Sequence, residues 1–109
     1  MNLLTSVKIF NNSKLYFSNN ELSKIFACYF LGVARGSWKD YAITFEKQEA
    51  SFYMYKHSLG TPDCVLTKSK KLKKNIILYN LKIANIKKYK YSKIDDLIAT
   101  LRRKEFVLI

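Results

Sequence analysis

The apolar residues of this chain change their spacing near Gly36, and this change limits the possible fold more than any other feature of the sequence. Before Gly36 they recur every three or four residues, which is the period of one face of an α-helix. After Tyr41 they alternate with polar residues, which is the period of a half-buried β-strand. A helix followed by strands predicts an α+β domain.

The first helix is predicted at residues 19–35, and both of its ends carry recognisable signals. Ser18 and Glu21 have the spacing of a capping box, in which two side chains bind backbone amides that the start of a helix leaves unsatisfied. Gly36 is placed to adopt the left-handed backbone conformation that ends many helices. One apolar side of this helix is predicted to lie in the core: Leu22, Ile25, Phe26, Tyr29, Phe30 and Val33.

An antiparallel sheet of three to five strands is predicted to follow the helix. The predicted strands are residues 41–46, 51–56, 64–68, 75–79 and, as a candidate fifth, 81–87. The first two predict a hairpin, because both alternate and only a short polar break separates them. Residues 57–63 hold the single proline and a glycine, which predicts a loop, and residues 69–74 are interpreted as a basic linker.

A second helix is predicted at residues 92–103, near the end of the chain. Its inward-facing residues are predicted to be Ile94, Leu97, Ile98 and Leu101. Ser92 is the expected cap, and the two acidic residues Asp95 and Asp96 suit the positive end of the helix dipole.

The two ends of the chain are apolar and leave alternatives open. Residues 106–109 could add an edge strand or cover the core, and residues 7–10 and 15–17 could form a short opening hairpin. We expect one domain over residues 1–109, with an N-terminal helix, an antiparallel sheet, a C-terminal helix and both helices on one sheet face.

Positive charge is concentrated between Cys64 and Ile94, where the chain has ten lysines and no acidic residue. The net charge of the whole chain is +12, so this segment carries most of it. A concentrated positive field attracts polyanions, whereas scattered lysines mainly confer solubility. The candidate nucleic-acid-binding residues form two lysine clusters: the first is Lys68, Lys70, Lys71, Lys73 and Lys74, and the second is Lys87, Lys88, Lys90 and Lys93.

The lysine content also has a second interpretation. Lys, Asn, Ile and Tyr make up 43 of the 109 residues, and all four have AT-rich codons. An AT-rich genome would enrich lysine everywhere and leave a solvated face without a partner. Codon bias does not, however, explain why acidic residues are missing from one segment of about thirty residues.

These observations lead to a nucleic-acid-binding hypothesis and two alternatives. We predict a small basic regulator or nucleoid-type protein that binds DNA ahead of RNA, with modest sequence specificity because the segment lacks the arginines typical of base readout. The first alternative is a protein-interaction or homodimerisation module, and the second is binding to acidic lipid surfaces. The order of helix, strands and helix is also similar to that of double-stranded RNA-binding domains, at the level of fold alone.

Catalytic and cofactor chemistry has little support in the sequence. The single histidine, His57, has no nucleophile or acid at a recognisable spacing, and three glycines are too few for a phosphate-binding loop. We predict no enzyme activity, cofactor, metal site or small-molecule substrate. Cys28 and Cys64 are predicted to be reduced core residues of a cytoplasmic protein, and no apolar run approaches the roughly 20 residues that cross a bilayer.

One segment resembles a known family. Phe17 and the pair Glu21-Leu22 lead into the helix, and the run Gly-Ser-Trp-Lys-Asp-Tyr-Ala-Ile-Thr-Phe follows it at residues 36–45. Together they resemble the alphaproteobacterial family of unknown function DUF2794, over residues 17–56 and on to about Lys71. The family has no established activity, so the resemblance implies a bacterial cytoplasmic protein and no mechanism.

Within that run, Trp38 is predicted to pack at the helix–strand junction, with a ligand-binding role as the alternative. Asp40 is placed to accept backbone amides in the same turn.

Overall fold

The chain forms a five-stranded antiparallel sheet and two helices in a computed structural model that describes residues 14–57, 60–84 and 87–108. The elements are α1 (Asn19–Ala34), β1 (Asp40–Phe45), β2 (Glu49–Tyr55), β3 (Cys64–Lys71), β4 (Ile76–Ile83), β5 (Lys87–Tyr91) and α2 (Ile94–Leu108). Each strand pairs with the next one along the chain. The predicted α+β fold is confirmed.

The register of the strands assigns alternate residues to two different faces of the sheet. One row across the sheet consists of Ile43, Phe52, Leu66, Leu81 and Tyr89. The three central members of this row are fully buried, and the outer two pack against the same core. This face is therefore the core face.

Both helices pack on the core face. In α1, the rings of Phe26 and Tyr29 contact the ring of Phe52, with centroids 5.3 and 5.9 Å apart. In α2, Leu97 and Leu101 are fully buried, and the helix contacts β4 and β5. No helix in the described part of the chain covers the opposite side of the sheet, which we call the open face.

Both ends of α1 are built as predicted. The Ser18 hydroxyl accepts from the Glu21 amide at 3.1 Å, and the Glu21 carboxylate accepts from the Ser18 amide at 2.7 Å. Gly36 has φ +84°, and the amide of Ser37 reaches back to the carbonyl of Gly32 at 2.7 Å. This arrangement is a Schellman motif, in which a left-handed residue turns the chain out of the helix.

The predicted buried side of α1 is wrong in its last turns. Phe30 and Val33 are 58% and 40% exposed, whereas Cys28 and Gly32 are buried. Phe30 packs on the rings of its helix neighbours Phe26 and Tyr29 and not on the sheet.

The predicted division of the later strands is also wrong. The supposed basic linker at residues 69–74 belongs to the end of β3 and to a four-residue turn, in which Asn75 has φ 51°. The predicted fourth and fifth strands form one continuous strand, β4. The fifth strand is Lys87–Tyr91, inside the second lysine cluster.

The C-terminal helix differs from the prediction at both ends. It begins at Ile94, so Ser92 lies two residues before its first residue, and it continues to Leu108. Residues 106–108 are therefore helical and form no edge strand, while Ile109 and residues 7–10 lie outside the described residues. Residues 15–17 form no strand; Leu15 instead donates one backbone hydrogen bond to Glu46, at 2.7 Å.

The residues around the helix–strand junction are structural. Trp38 is 1% exposed, which leaves no surface for a ligand, and Asp40 accepts the Tyr41 amide at 2.8 Å. Cys28 and Cys64 are both buried in the core, as predicted.

Candidate nucleic-acid interface

The alternation in β4 and β5 places three lysines on the open face: Lys82, Lys88 and Lys90. Leu81 and Ile83 point into the core, so Lys82 between them points outward. In β5, Tyr89 and Tyr91 pack against the core, so Lys88 and Lys90 take the open face. This alternation follows from the two-residue period of a strand.

Tyr89 and Tyr91 thus lie on the opposite face of β5 from Lys88 and Lys90.

Two adjoining grooves cross the open face. The first, which we call the central groove, has a volume of about 740 Å³ and runs over β2, β3, β4 and β5. Its lining on the open face includes Tyr53, Val65, Thr67, Asn80, Lys82, Lys88 and Lys90. The central groove therefore has lysines on the β4–β5 side and mostly uncharged side chains on the β2–β3 side.

The second groove, which we call the turn groove, has a volume of about 690 Å³ and lies at the β3–β4 turn. Its basic lining residues are Lys70, Lys71, Lys73, Lys74 and Lys90. It shares Glu49, Ser69 and Lys90 with the central groove, so the two form one continuous depression. Glu49 is the only acidic residue among those that line either groove.

Six of the nine predicted lysines line these grooves, and they come from both lysine clusters. They are Lys70, Lys71, Lys73, Lys74, Lys88 and Lys90. Lys87 and Lys93 are exposed but line neither groove. We call the surface formed by the two grooves the basic face.

Lys68 lies on the core face and has a structural environment. Its ammonium group donates to the Glu21 carboxylate at 2.8 Å and to the carbonyl of Tyr16 at 2.9 Å. The side chains of Lys68 and Glu21 are only 12% and 10% exposed. We therefore leave Lys68 out of the basic face.

The hydroxyl of Tyr79 also donates to Glu21, which completes a small buried network. Burial alone would raise the pKa of Glu21, but the hydrogen bonds from Lys68, Tyr79 and the Ser18 amide outweigh it and hold that pKa below its usual value. Burial and the Glu21 carboxylate raise the pKa of Tyr79. The network thus joins an ionised Glu21 to a neutral Tyr79.

Sequence reasoning missed four residues of the central groove: Tyr53, Thr67, Asn80 and Lys82. Lys82 could have been found, because it alternates with the apolar residues Leu81 and Ile83. The polar residues could not, since their place opposite the lysines depends on the pairing of β2, β3 and β4.

The other residues considered for chemistry are dispersed. His57 is exposed, and the side chain of Asp63 accepts the Lys56 amide at 2.7 Å. Among the described residues, no group of three or more His, Cys, Asp or Glu side chains is arranged to hold a metal ion. Within the same residues, no helix has the length and apolarity to cross a membrane.

The fold and the two grooves define a small α+β domain with one helix-covered face and one basic face. The chain belongs to the family of proteins of unknown function DUF2794, whose model matches residues 15–91. The match extends the resemblance beyond Lys71 and contains α1, all five strands and both grooves. No curated protein and no solved structure gives a significant match to the chain.

Proposed function

We propose that this protein binds nucleic acid through the basic face, as a small cytoplasmic regulator or nucleoid-type protein with modest sequence specificity. The observation that carries the proposal is the convergence of the two lysine clusters on one side of the sheet. Lys71 ends β3, Lys73 and Lys74 come from the β3–β4 turn, Lys88 comes from β5, and Lys90 lines both grooves.

The charge distribution supports this proposal over a solvated face. Lys82 and Lys88 are direct partners in the β4–β5 register, which places their side chains next to each other. Like charges at this position destabilise a sheet, and a bound phosphate would offset the repulsion.

The test is to measure the affinity for labelled oligonucleotides at increasing salt concentration. We expect the logarithm of the association constant to fall linearly with the logarithm of the salt concentration, with a slope set by the number of phosphates contacted. A variant in which Lys82, Lys88 and Lys90 are replaced by Gln should bind more weakly and with a shallower slope.

The matched control replaces Lys24, Lys39 and Arg102 by Gln. Lys24 and Arg102 lie on the helices that cover the core face, and Lys39 precedes β1. Both variants lose the same charge, so a general effect of net charge would weaken binding equally. Equal losses, or no binding by the unmodified protein at low salt, would refute the proposal.

Self-association is the second candidate, and one observation favours it. Phe30, Val33 and Tyr41 are exposed, and β1 is an edge strand of the sheet. A second copy could extend the sheet at this edge and cover the exposed side chains. Light scattering over a range of concentrations tests this candidate, and a mass that stays at one chain throughout would exclude it.

A further inference from the structure

We infer that the ligand of the central groove is single-stranded nucleic acid, with a base stacked on Tyr53 and the adjoining phosphates held by Lys82, Lys88 and Lys90. This inference rests on the proposed function and specifies its ligand. It depends on the contrast between the two sides of the groove. The β2–β3 side supplies Tyr53 and mostly uncharged side chains, and the β4–β5 side supplies the lysines.

Tyr53 is positioned to offer the face of its ring. Its hydroxyl lies 3.2 Å from the hydroxyl of Thr44, which belongs to the neighbouring strand β1. The residue directly opposite Tyr53 in β1 is Ala42, whose small side chain leaves room for the ring. The ring therefore leans toward β1, and Tyr53 lines the central groove on its β2 side.

Uncharged hydrogen-bonding groups lie beside this ring. Ser51, Thr67 and Asn80 are consecutive members of one row across the open face. The hydroxyls of Ser51 and Thr67 are 3.1 Å apart and share a hydrogen bond. Ser51 is buried, but Thr67 and Asn80 line the groove and can pair with the edges of unstacked bases, whereas such groups add little to a surface that contacts only phosphates.

The lysines are placed where the backbone of the same strand would lie. Lys82 is two strands away from Tyr53, which is about 10 Å. The rows that end at Lys88 and Lys90 are two residues apart along β5, which is about 7 Å. An extended single strand running along β4 and β5 can place its phosphates at these lysines while its bases reach toward β2 and β3.

A duplex fits this groove less well. Five strands span about 19 Å, and the major groove of B-DNA is about 12 Å wide, so the sheet cannot enter it. Both described helices lie on the core face, where neither can approach a ligand bound in the central groove. A duplex would instead meet the β3–β4 turn, through Lys73 and Lys74.

The experiment measures the affinity of the full chain for oligo(dT), oligo(U) and a mixed-sequence duplex of the same length by fluorescence anisotropy at low salt. We expect one or both single strands to bind more tightly than the duplex. The difference in affinity between oligo(dT) and oligo(U) shows whether DNA or RNA is preferred. This comparison needs no variant, so it holds even if a substitution impairs folding.

Two substitutions in β2 then locate the base. We expect Tyr53→Ala to weaken single-strand binding by about 5- to 150-fold, the range typical for loss of one stacked base, and Tyr53→Phe to retain it. Tyr55→Ala is the matched control, because Tyr55 lies on the same face of the same strand but lines neither groove. Duplex affinity should not change with Tyr53→Ala.

The possible results separate this inference from the proposed function. Tighter duplex binding, or a Tyr53→Ala variant that binds single strands as well as the unmodified protein, would overturn the single-strand inference and leave nucleic-acid binding intact. Duplex binding lost on replacing Lys73 and Lys74 would assign the ligand to the turn. Binding to none of the three probes would overturn both.

Discussion

Glu21 joins the start of α1 to the middle of the sheet. Its carboxylate accepts hydrogen bonds from the Ser18 amide, the Lys68 ammonium group and the Tyr79 hydroxyl. A buried charge is costly unless it is paired and hydrogen-bonded, and here both conditions are met. Removing one partner would leave the other charge buried without compensation.

We expect Glu21→Gln to lower the free energy of unfolding by about 2–4 kcal/mol, because the Lys68 ammonium group would lose its counter-charge. Urea unfolding at neutral pH measures the change. The control is Lys24→Gln, which breaks the more exposed ion pair with Asp95 and should cost about 0–1 kcal/mol. Equal losses in the two variants would contradict the structural role of Glu21.

The same network predicts how stability depends on pH. The pKa of Glu21 is lowered in the folded state, so its contribution to stability is complete above its usual value of 4.5 and is lost as the pH falls below it. We expect the free energy of unfolding to decrease more steeply on acidification in the unmodified protein than in Glu21→Gln. Parallel pH curves for the two proteins would show that Glu21 titrates normally.

At the scale of elements, β4 and β5 each contribute side chains to the core on one side and lysines to the basic face on the other. Their inward residues Leu81 and Tyr89 pack against the core, while Lys82 and Lys88 lie opposite each other on the open face. Like charges directly opposite in a sheet are destabilising. The pairing therefore costs stability in the unbound protein.

We expect Lys88→Gln to raise the free energy of unfolding at low ionic strength by about 0.2–1 kcal/mol, because it removes the repulsion with Lys82. The gain should shrink as salt screens the charges. Lys87→Gln is the control, since Lys87 pairs with Ile83 and should change stability little. Thermal unfolding of both variants at two salt concentrations checks this, and a Lys88→Gln variant that is less stable at low salt would contradict it.

The sequence predicts those elements whose signals are local. The boundaries of α1 follow from Ser18, Glu21 and Gly36, and the β1–β2 hairpin follows from alternation over a short stretch. The outward alternation of Lys82, Lys88 and Lys90 is equally local, because it follows from the two-residue period of β4 and β5.

Features that depend on distant pairing were not predictable. Lys68 and Tyr79 meet Glu21 across 47 and 58 residues of chain, and nothing near any of the three indicates the others. Similarly, Phe30 continues the helical apolar pattern of α1 but is exposed, because the position of the last turn relative to the sheet is set by tertiary packing.

At the scale of the whole molecule, the core contacts and the proposed binding surface lie on opposite sides of one sheet. The core face carries the helices and the Glu21 network, while the open face carries the two grooves. Successive residues along a strand alternate between the two faces, so a substitution should affect one property and spare the other.

We expect substitutions on one face to change binding alone and substitutions on the other to change stability alone. Replacing Lys82, Lys88 and Lys90 by Gln should weaken oligonucleotide binding without lowering the free energy of unfolding. Glu21→Gln should lower the free energy of unfolding while folded molecules retain their affinity. Oligonucleotide titrations and urea unfolding of both variants at the same temperature test this, and a loss of affinity in folded Glu21→Gln would show that the two faces are coupled.

The order of the strands has a kinetic consequence. Each strand pairs with its predecessor, so most pairings between strands join residues that are close in sequence and close short loops. Chains with such local topology cross a lower entropic barrier on the way to the native state than chains with long crossovers. We therefore expect rapid refolding in which the hairpins form one after another. The docking of α1 should come late, because it requires Glu21 to contact Lys68 and Tyr79, which are distant in sequence.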